Sequence, residues 1–255
     1  MPPETAQVVA LGLIQGATEL LPVSSSAHIA AVPQLLGWSV ASWPPERRKE
    51  LEVALHAGAL LALAPALWRA RPDLRTLALS LAPPVIAGYA LERPIEERLG
   101  GPRGLAAGLL LGAAALTAAD ARGENTGERG DRGHVPAGHA VALGLAQAAA
   151  LWPGVSRTGA TLAAARALGY DRAEASRLSF GVAGPVLAGA TALKAWRGRK
   201  DADLELVATG TAAAFAGTAA ALRLIGLERR RPFWPYAVER ALLAGAGLRP
   251  NRRHL

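Results

Sequence analysis

The chain has 255 residues, 51% of them apolar, with 19% charged residues, a mean hydropathy of +0.21 and a net charge of +8. It has no cysteine, which excludes disulfides and thiolate metal sites. Its basic residues are almost all Arg and sit between apolar runs, not in a stripe with aromatics, which argues against nucleic acid and for membrane flanks and anionic headgroups.

The first apolar run, 7–37, is interrupted by Pro22 and then by Ser24, Ser25 and Ser26. Gln15 and Glu19 are four apart and share a helix face. Pro22 disfavours helix at Leu21, so the chain should break there. The serines are good N-cap types, so a second half-helix should open among them. Its free amides and dipole make an anion site. His28 lies three residues after Ser25, and the two are expected to face one way.

Three apolar runs follow, 51–68, 74–91 and 104–119, each near the length of a span. The first carries Glu52 and, one turn on, His56, which suits site lining and helix packing equally well. The Gly-rich, charged stretch 120–138 reads as a linker. The run 139–169 then repeats 7–37 at an offset of 132. Gly12 meets Gly144, Gln15 meets Gln147, Val23 meets Val155, Ser24 meets Ser156 and Ser26 meets Thr158. Here Pro153-Gly154 makes the break, and Ser156, Arg157 and Thr158 open the next half-helix, with Thr161 one turn along. A guanidinium is a planar fork suited to phosphate oxygens. Three more runs, 178–196, 204–222 and 233–248, complete the chain. Trp38, Trp43, Trp68, Trp196 and Trp234 fall near segment ends, as interfacial anchors do.

This pattern predicts an all-α, polytopic membrane protein forming one domain over 1–255. The first repeat is 1–119, the linker 120–138 and the second repeat 139–255. Each repeat is expected to be a re-entrant helix hairpin plus three transmembrane helices. Three spans between the hairpins would invert the second repeat, so that the two tips meet near the midplane, a known design for membrane sites. Ionisable residues inside such segments mark function by default, which singles out Glu19, His28 and Arg157. Arg240 and Glu239 read as structural or interfacial.

The two breaks resemble the motifs of the bacterial undecaprenyl-diphosphatase family, the bacitracin-resistance phosphatases. The first reads Gln15-Gly16-Ala17-Thr18-Glu19-Leu20-Leu21-Pro22-Val23-Ser24-Ser25-Ser26-Ala27-His28, and the second Pro153-Gly154-Val155-Ser156-Arg157-Thr158-Gly159-Ala160-Thr161. Leu55-His56-Ala57-Gly58, Ser179-Phe180 and Phe233-Trp234-Pro235-Tyr236-Ala237 with Arg240 extend the likeness. Ala27 stands where the family has Gly, Leu20 where it has an aromatic, Arg177 where an acidic residue is common, and Glu239 is unusual before Arg240. The resemblance implies hydrolysis of undecaprenyl diphosphate to the monophosphate and inorganic phosphate in the bacterial cell membrane, recycling the carrier for peptidoglycan synthesis. It implies a divalent cation, Mg2+ or Ca2+, for which Glu19 is the candidate ligand, as the alternative to its orienting His28.

The catalytic set that carries over is Glu19, Ser25, His28 and Arg157. Gln15, Ser24, Ser26, Ser156, Thr158, Thr161 and His56 are the expected substrate contacts. His28 is expected to be oriented by Glu19 and to move the proton, while Ser25 or a water attacks phosphorus. Expected partners are a polyprenyl diphosphate and membrane lipids, with homodimerisation open. The alternative reading is a lipid-phosphate transporter built on the same pocket; it needs no proton-transfer pair.

Overall fold

The computed structural model describes residues 3–125, 135–198, 202–226 and 232–247. These residues form ten α-helices: α1 (Pro3–Leu20), α2 (Ser25–Leu36), α3 (Pro45–Ala70), α4 (Leu74–Leu99), α5 (Pro102–Asn125), α6 (Ala137–Ala149), α7 (Arg157–Ala167), α8 (Arg172–Gly198), α9 (Leu204–Ile225) and α10 (Trp234–Gly247). Local chemistry sets many of the boundaries. Asp73 caps α4 by accepting from the Thr76 amide at 3.0 Å, and Asp203 caps α9 from Leu206 at 3.1 Å. Pro45 and Pro102 occupy the first turns of α3 and α5, where a missing amide costs nothing. Gly37, at φ 66°, ends α2 in a left-handed cap.

Five helices are long and apolar enough to cross a bilayer: α3, α4, the Pro102–Arg122 part of α5, α8 and α9. Their outward faces carry large apolar side chains. On α4, Val85, Ile86 and Tyr89 are 62%, 67% and 96% exposed. A chain dissolved in water would bury such a face, whereas lipid tails solvate it. The sixth expected span, 233–248, is a helix of only 14 described residues and is not among the five. It is about 21 Å long at 1.5 Å per residue.

The linker expected over 120–138 also needs correction. Helix α5 continues to Asn125 and α6 begins at Ala137, while 126–134 lie outside the described residues. Asp120 is no linker residue. It is buried, accepts from Arg166 Nε at 2.9 Å and Arg172 Nε at 3.0 Å, and takes the Phe233 amide at 3.0 Å. One carboxylate thus ties α5 to α7, to α8 and to the start of α10. Trp43 likewise differs from a lipid-facing anchor. It is buried and its indole N–H donates to Glu4 at 3.2 Å, whereas Trp68, Trp196 and Trp234 are exposed.

Helix α1 packs on α9 and α6 packs on α4, while α3 meets α8 and α5 meets α10. The α1–α9 crossing is close because both surfaces are bare. A Cβ at Gly16 would lie 2.3 Å from the Gly217 carbonyl carbon. The apolar cores lie inside this framework, one around Leu116, Leu143, Tyr170, Leu178 and Phe233, another around Leu11, Leu51, Leu55 and Ala214.

Candidate active site

The chain breaks between α1 and α2 and again between α6 and α7, and the two breaks face one cavity of about 200 Å³. Ser24 and Ser156 precede the second helix of each pair. They are the two non-glycine residues with positive φ among those described, at 70° and 66°. An L side chain at such angles is strained, and strain of this kind persists where surrounding structure imposes it, commonly at functional sites. Ser156 caps α7 by accepting from the Gly159 amide at 3.2 Å; Ser24 makes no such bond to α2. Both turns set the first residues of a helix, Ser25 and Ser26 of α2 and Arg157 and Thr158 of α7, in the wall of the same space, with the positive end of each helix dipole behind them.

The centre of the cavity wall is Glu19, 5% exposed at the end of α1. Its Oε2 accepts from Gln15 Nε2 at 2.9 Å and from the Ser25 hydroxyl at 2.8 Å. Its Oε1 accepts from Arg157 Nη2 at 2.7 Å. Ser25 and Arg157 occupy equivalent positions, the first residue of α2 and of α7, and both reach the same carboxylate. Arg157 Nε is buried without a partner among the described residues. The guanidinium therefore has donor capacity left for an anion.

Ser24, Ser25, Ser26, Ser156, Arg157, Thr158 and His56 line the cavity with Glu19. Three expected residues do not. Gln15 is fully buried behind Glu19 and touches the carboxylate, not the cavity. Thr161 is fully buried and bonded to Ser179 Oγ at 2.5 Å, locking α7 to α8. His28 faces away. Its Nδ1 is 2.9 Å from the Ser24 carbonyl, and its Nε2 is 2.8 Å from Glu239 Oε1 on α10. Orientation of His28 by Glu19 is thus overturned, because the hydrogen-bond partners of the Glu19 carboxylate among the described residues are Gln15, Ser25 and Arg157. Ser25 and His28 are about 60° apart on α2, enough to send them to different sides.

Two cavity residues had no assigned role in the sequence reading. Lys194 lies on α8 within an apolar run, and Thr191 sits one turn before it; both line the wall with Glu52. A lone Lys in an apolar segment was the available signal. Arg240, read as structural, is fully buried and braces the second break, donating from Nη2 to the carbonyls of Gly154 at 2.8 Å and Val155 at 2.7 Å.

A profile of the family described as Bacitracin resistance protein BacA matches residues 8–246, nearly the whole chain. The chain belongs to that family. Proteins named undecaprenyl-diphosphatase share its sequence at full length. That of Geobacter metallireducens is 37% identical over 265 residues, covering 93% of this chain and 94% of the relative. That of Geobacter sulfurreducens is 37% identical over 267 residues, covering 93% and 95%. The Novosphingobium aromaticivorans protein is 32% identical over 262 residues, covering 93% and 94%. Membership in the BacA family and five candidate spans make this a multi-pass protein of the bacterial inner membrane. The match includes both breaks and so the whole Glu19 cluster.

Proposed function

We propose that this protein hydrolyses undecaprenyl diphosphate to undecaprenyl phosphate and inorganic phosphate, and that the cavity between the two breaks is where it does so. The observation that carries the assignment of the site is Glu19 accepting from Ser25 and Arg157 together. A nucleophile, the base that can take its proton, and a cation for phosphoryl oxygens stand on one carboxylate.

In this mechanism the terminal phosphoryl group enters the cavity. Arg157, Lys194 and the opening amides of α2 and α7 hold its oxygens. Preorganised donors aimed at developing charge are commonly the largest catalytic contribution. Ser25 Oγ attacks the terminal phosphorus as Glu19 Oε2, already in contact, receives the hydroxyl proton. The anhydride P–O bond breaks, and undecaprenyl phosphate leaves with the electron pair. Glu19 gives that proton up to solvent; water then attacks the phosphoserine as Glu19 takes a proton from it, and this proton passes to Ser25 Oγ as the P–Oγ bond breaks and inorganic phosphate departs.

The cation expected from the resemblance is part of this proposal. Glu19 and Glu52 both line the cavity, and no group of three His, Asp or Glu stands together among the described residues. That donor set suits Mg2+, which is bound by one or two carboxylates plus substrate phosphates and not by an all-protein cage. Glu19 and Glu52 would hold it, and when bound it neutralises diphosphate charge.

We also read the two helix pairs as re-entrant and the two halves as inverted. Helix α2, at 12 residues, and α7, at 11, are each under about 20 Å, short of a hydrocarbon core of about 30 Å. Helix α1 on α9 and α6 on α4 exchange partners between halves, and the α3–α8 and α5–α10 pairs join equivalent helices, as a pseudo-twofold requires.

The test is phosphate release from a long-chain polyprenyl diphosphate by detergent-purified protein with Mg2+, beside Arg157→Ala and Ser25→Ala. Release by the parent and its loss in both variants is expected, with a phosphoserine trapped at Ser25 on acid quench. Full turnover by Ser25→Ala would sink the covalent route. Lipid binding without release would return weight to transport.

A further inference from the structure

His28 lies between two acceptors, and this decides its protonation. A carbonyl oxygen only accepts, so Nδ1, 2.9 Å from Ser24 O, carries a hydrogen. At 2.8 Å, a bare Nε2 lone pair would repel the Glu239 Oε1 it faces, so a proton sits between them. Glu239 Oε2 is buried without a partner among the described residues, and a proton there would meet no acceptor. Imidazole is the stronger base of the two groups, so the proton lies on Nε2 and is shared with Oε1. Both N–H groups of the ring are then engaged, and no lone pair remains to take a proton from Ser25 or from water.

We propose that Glu239 is a positioning residue for the phosphatase reaction: it holds His28 as an imidazolium whose second N–H grips the Ser24 carbonyl and so fixes the turn that aims Ser25 at Glu19. The proposal rests on the phosphatase reading of the cavity. The turn needs holding because Ser24 is at φ 70°, ψ 89° and its own side chain makes no cap bond. The next residue on α10 does the corresponding work at the other break. Arg240 binds the carbonyls of Gly154 and Val155, immediately before Ser156 at φ 66°. Adjacent residues of one helix thus secure both left-handed serines, Arg240 directly and Glu239 through His28. The second copy has Ala160 where the first has His28, so it has no imidazole to place there.

The experiment uses full-length protein in detergent, labelled with 15N-histidine, at pH 7.5. The His28 ring signals are assigned by their loss in His28→Asn. In the parent, both ring nitrogens of His28 should be protonated. In Glu239→Gln, which keeps the shape and removes the charge, His28 should become neutral with the proton on Nδ1. Glu239→Leu, which takes the partner from Nε2 and frees the ring to leave the Ser24 carbonyl, should lose roughly tenfold in kcat, with KM within about twofold, since a slight misplacement of a reacting group carries a cost of this order. Glu239→Asp should restore the charged ring. A neutral His28 in the parent, or parental kcat in Glu239→Leu, would overturn the proposal. A parent that releases no phosphate overturns the phosphatase reading and the catalytic consequence with it, while the spectrum separately decides the pairing.

Discussion

Removing Arg157 should damage the protein twice, and the two effects can be separated. Glu19 is 5% exposed, and its only cationic hydrogen-bond donor among the described residues is Arg157 Nη2 at 2.7 Å; Gln15 and Ser25 are neutral. Deleting one partner of a buried pair costs about 3–5 kcal/mol, because the other charge stays buried. The Arg157 side chain is 20% exposed, so water screens the pair and about 2 kcal/mol is the reasoned loss. At roughly 2–4 °C per kcal/mol for a chain of this size, Arg157→Ala should melt about 4–8 °C below the parent in detergent. Glu19→Gln in the same background removes the stranded charge, and the double variant should regain most of that loss. Activity should not return. Loss of one preorganised donor to the phosphoryl oxygens lowers kcat/KM about 10²–10³-fold, and Glu19→Gln also removes the base. Melting curves of the parent, both single variants and the double variant, with phosphate release measured in parallel, give the full cycle. Additive stability losses would refute the argument, because they would mean that the two side chains do not sense one another.

Other expectations follow from single contacts. Asp120→Asn should destabilise the protein by about 3 kcal/mol, since Arg166 and Arg172 would share a neutral partner, and thermal unfolding reads it. Gly16→Val should prevent the α1–α9 crossing, and size-exclusion chromatography should show aggregate in place of a single species. Lys194→Ala should raise KM several-fold and leave melting within about 1 °C, because Lys194 lines the cavity and has no buried ion partner among the described residues to strand.

The broken helix pairs were legible because Pro22 and Pro153-Gly154 are each followed closely by a cap-forming serine, Ser24 or Ser156, and because ionisable residues are rare in apolar segments; proline alone makes no break, since Pro65 and Pro185 lie inside α3 and α8. Ser24, Ser25, Ser26, Ser156, Arg157 and Thr158 do line one cavity with Glu19. What could not be read was which side chain meets which. His28 finds Glu239 more than 200 residues away, and nothing in the spacing of α2 points to α10. Thr161 has the spacing to face the cavity, yet its hydroxyl is taken by Arg157 O and by Ser179. Asp120 begins a stretch with linker composition, and its partners lie on α7 and α8, so local composition misread an anchor as a connector. The short α10 was inferred from apolar composition alone, which does not separate a span from a buried core helix.

The equivalence of Ser25 and Arg157 gives the pocket a hand. Two identical copies would present Glu19 with two hydroxyls or with two guanidiniums, and a diphosphate could lie either way round. Divergence at this pair of positions leaves a hydroxyl on one flank and a guanidinium on the other. A phosphoryl group seated between them is approached from one face only. Two successive in-line displacements from such a site would return phosphorus to its starting configuration, so a chirally labelled terminal phosphate should emerge with retention.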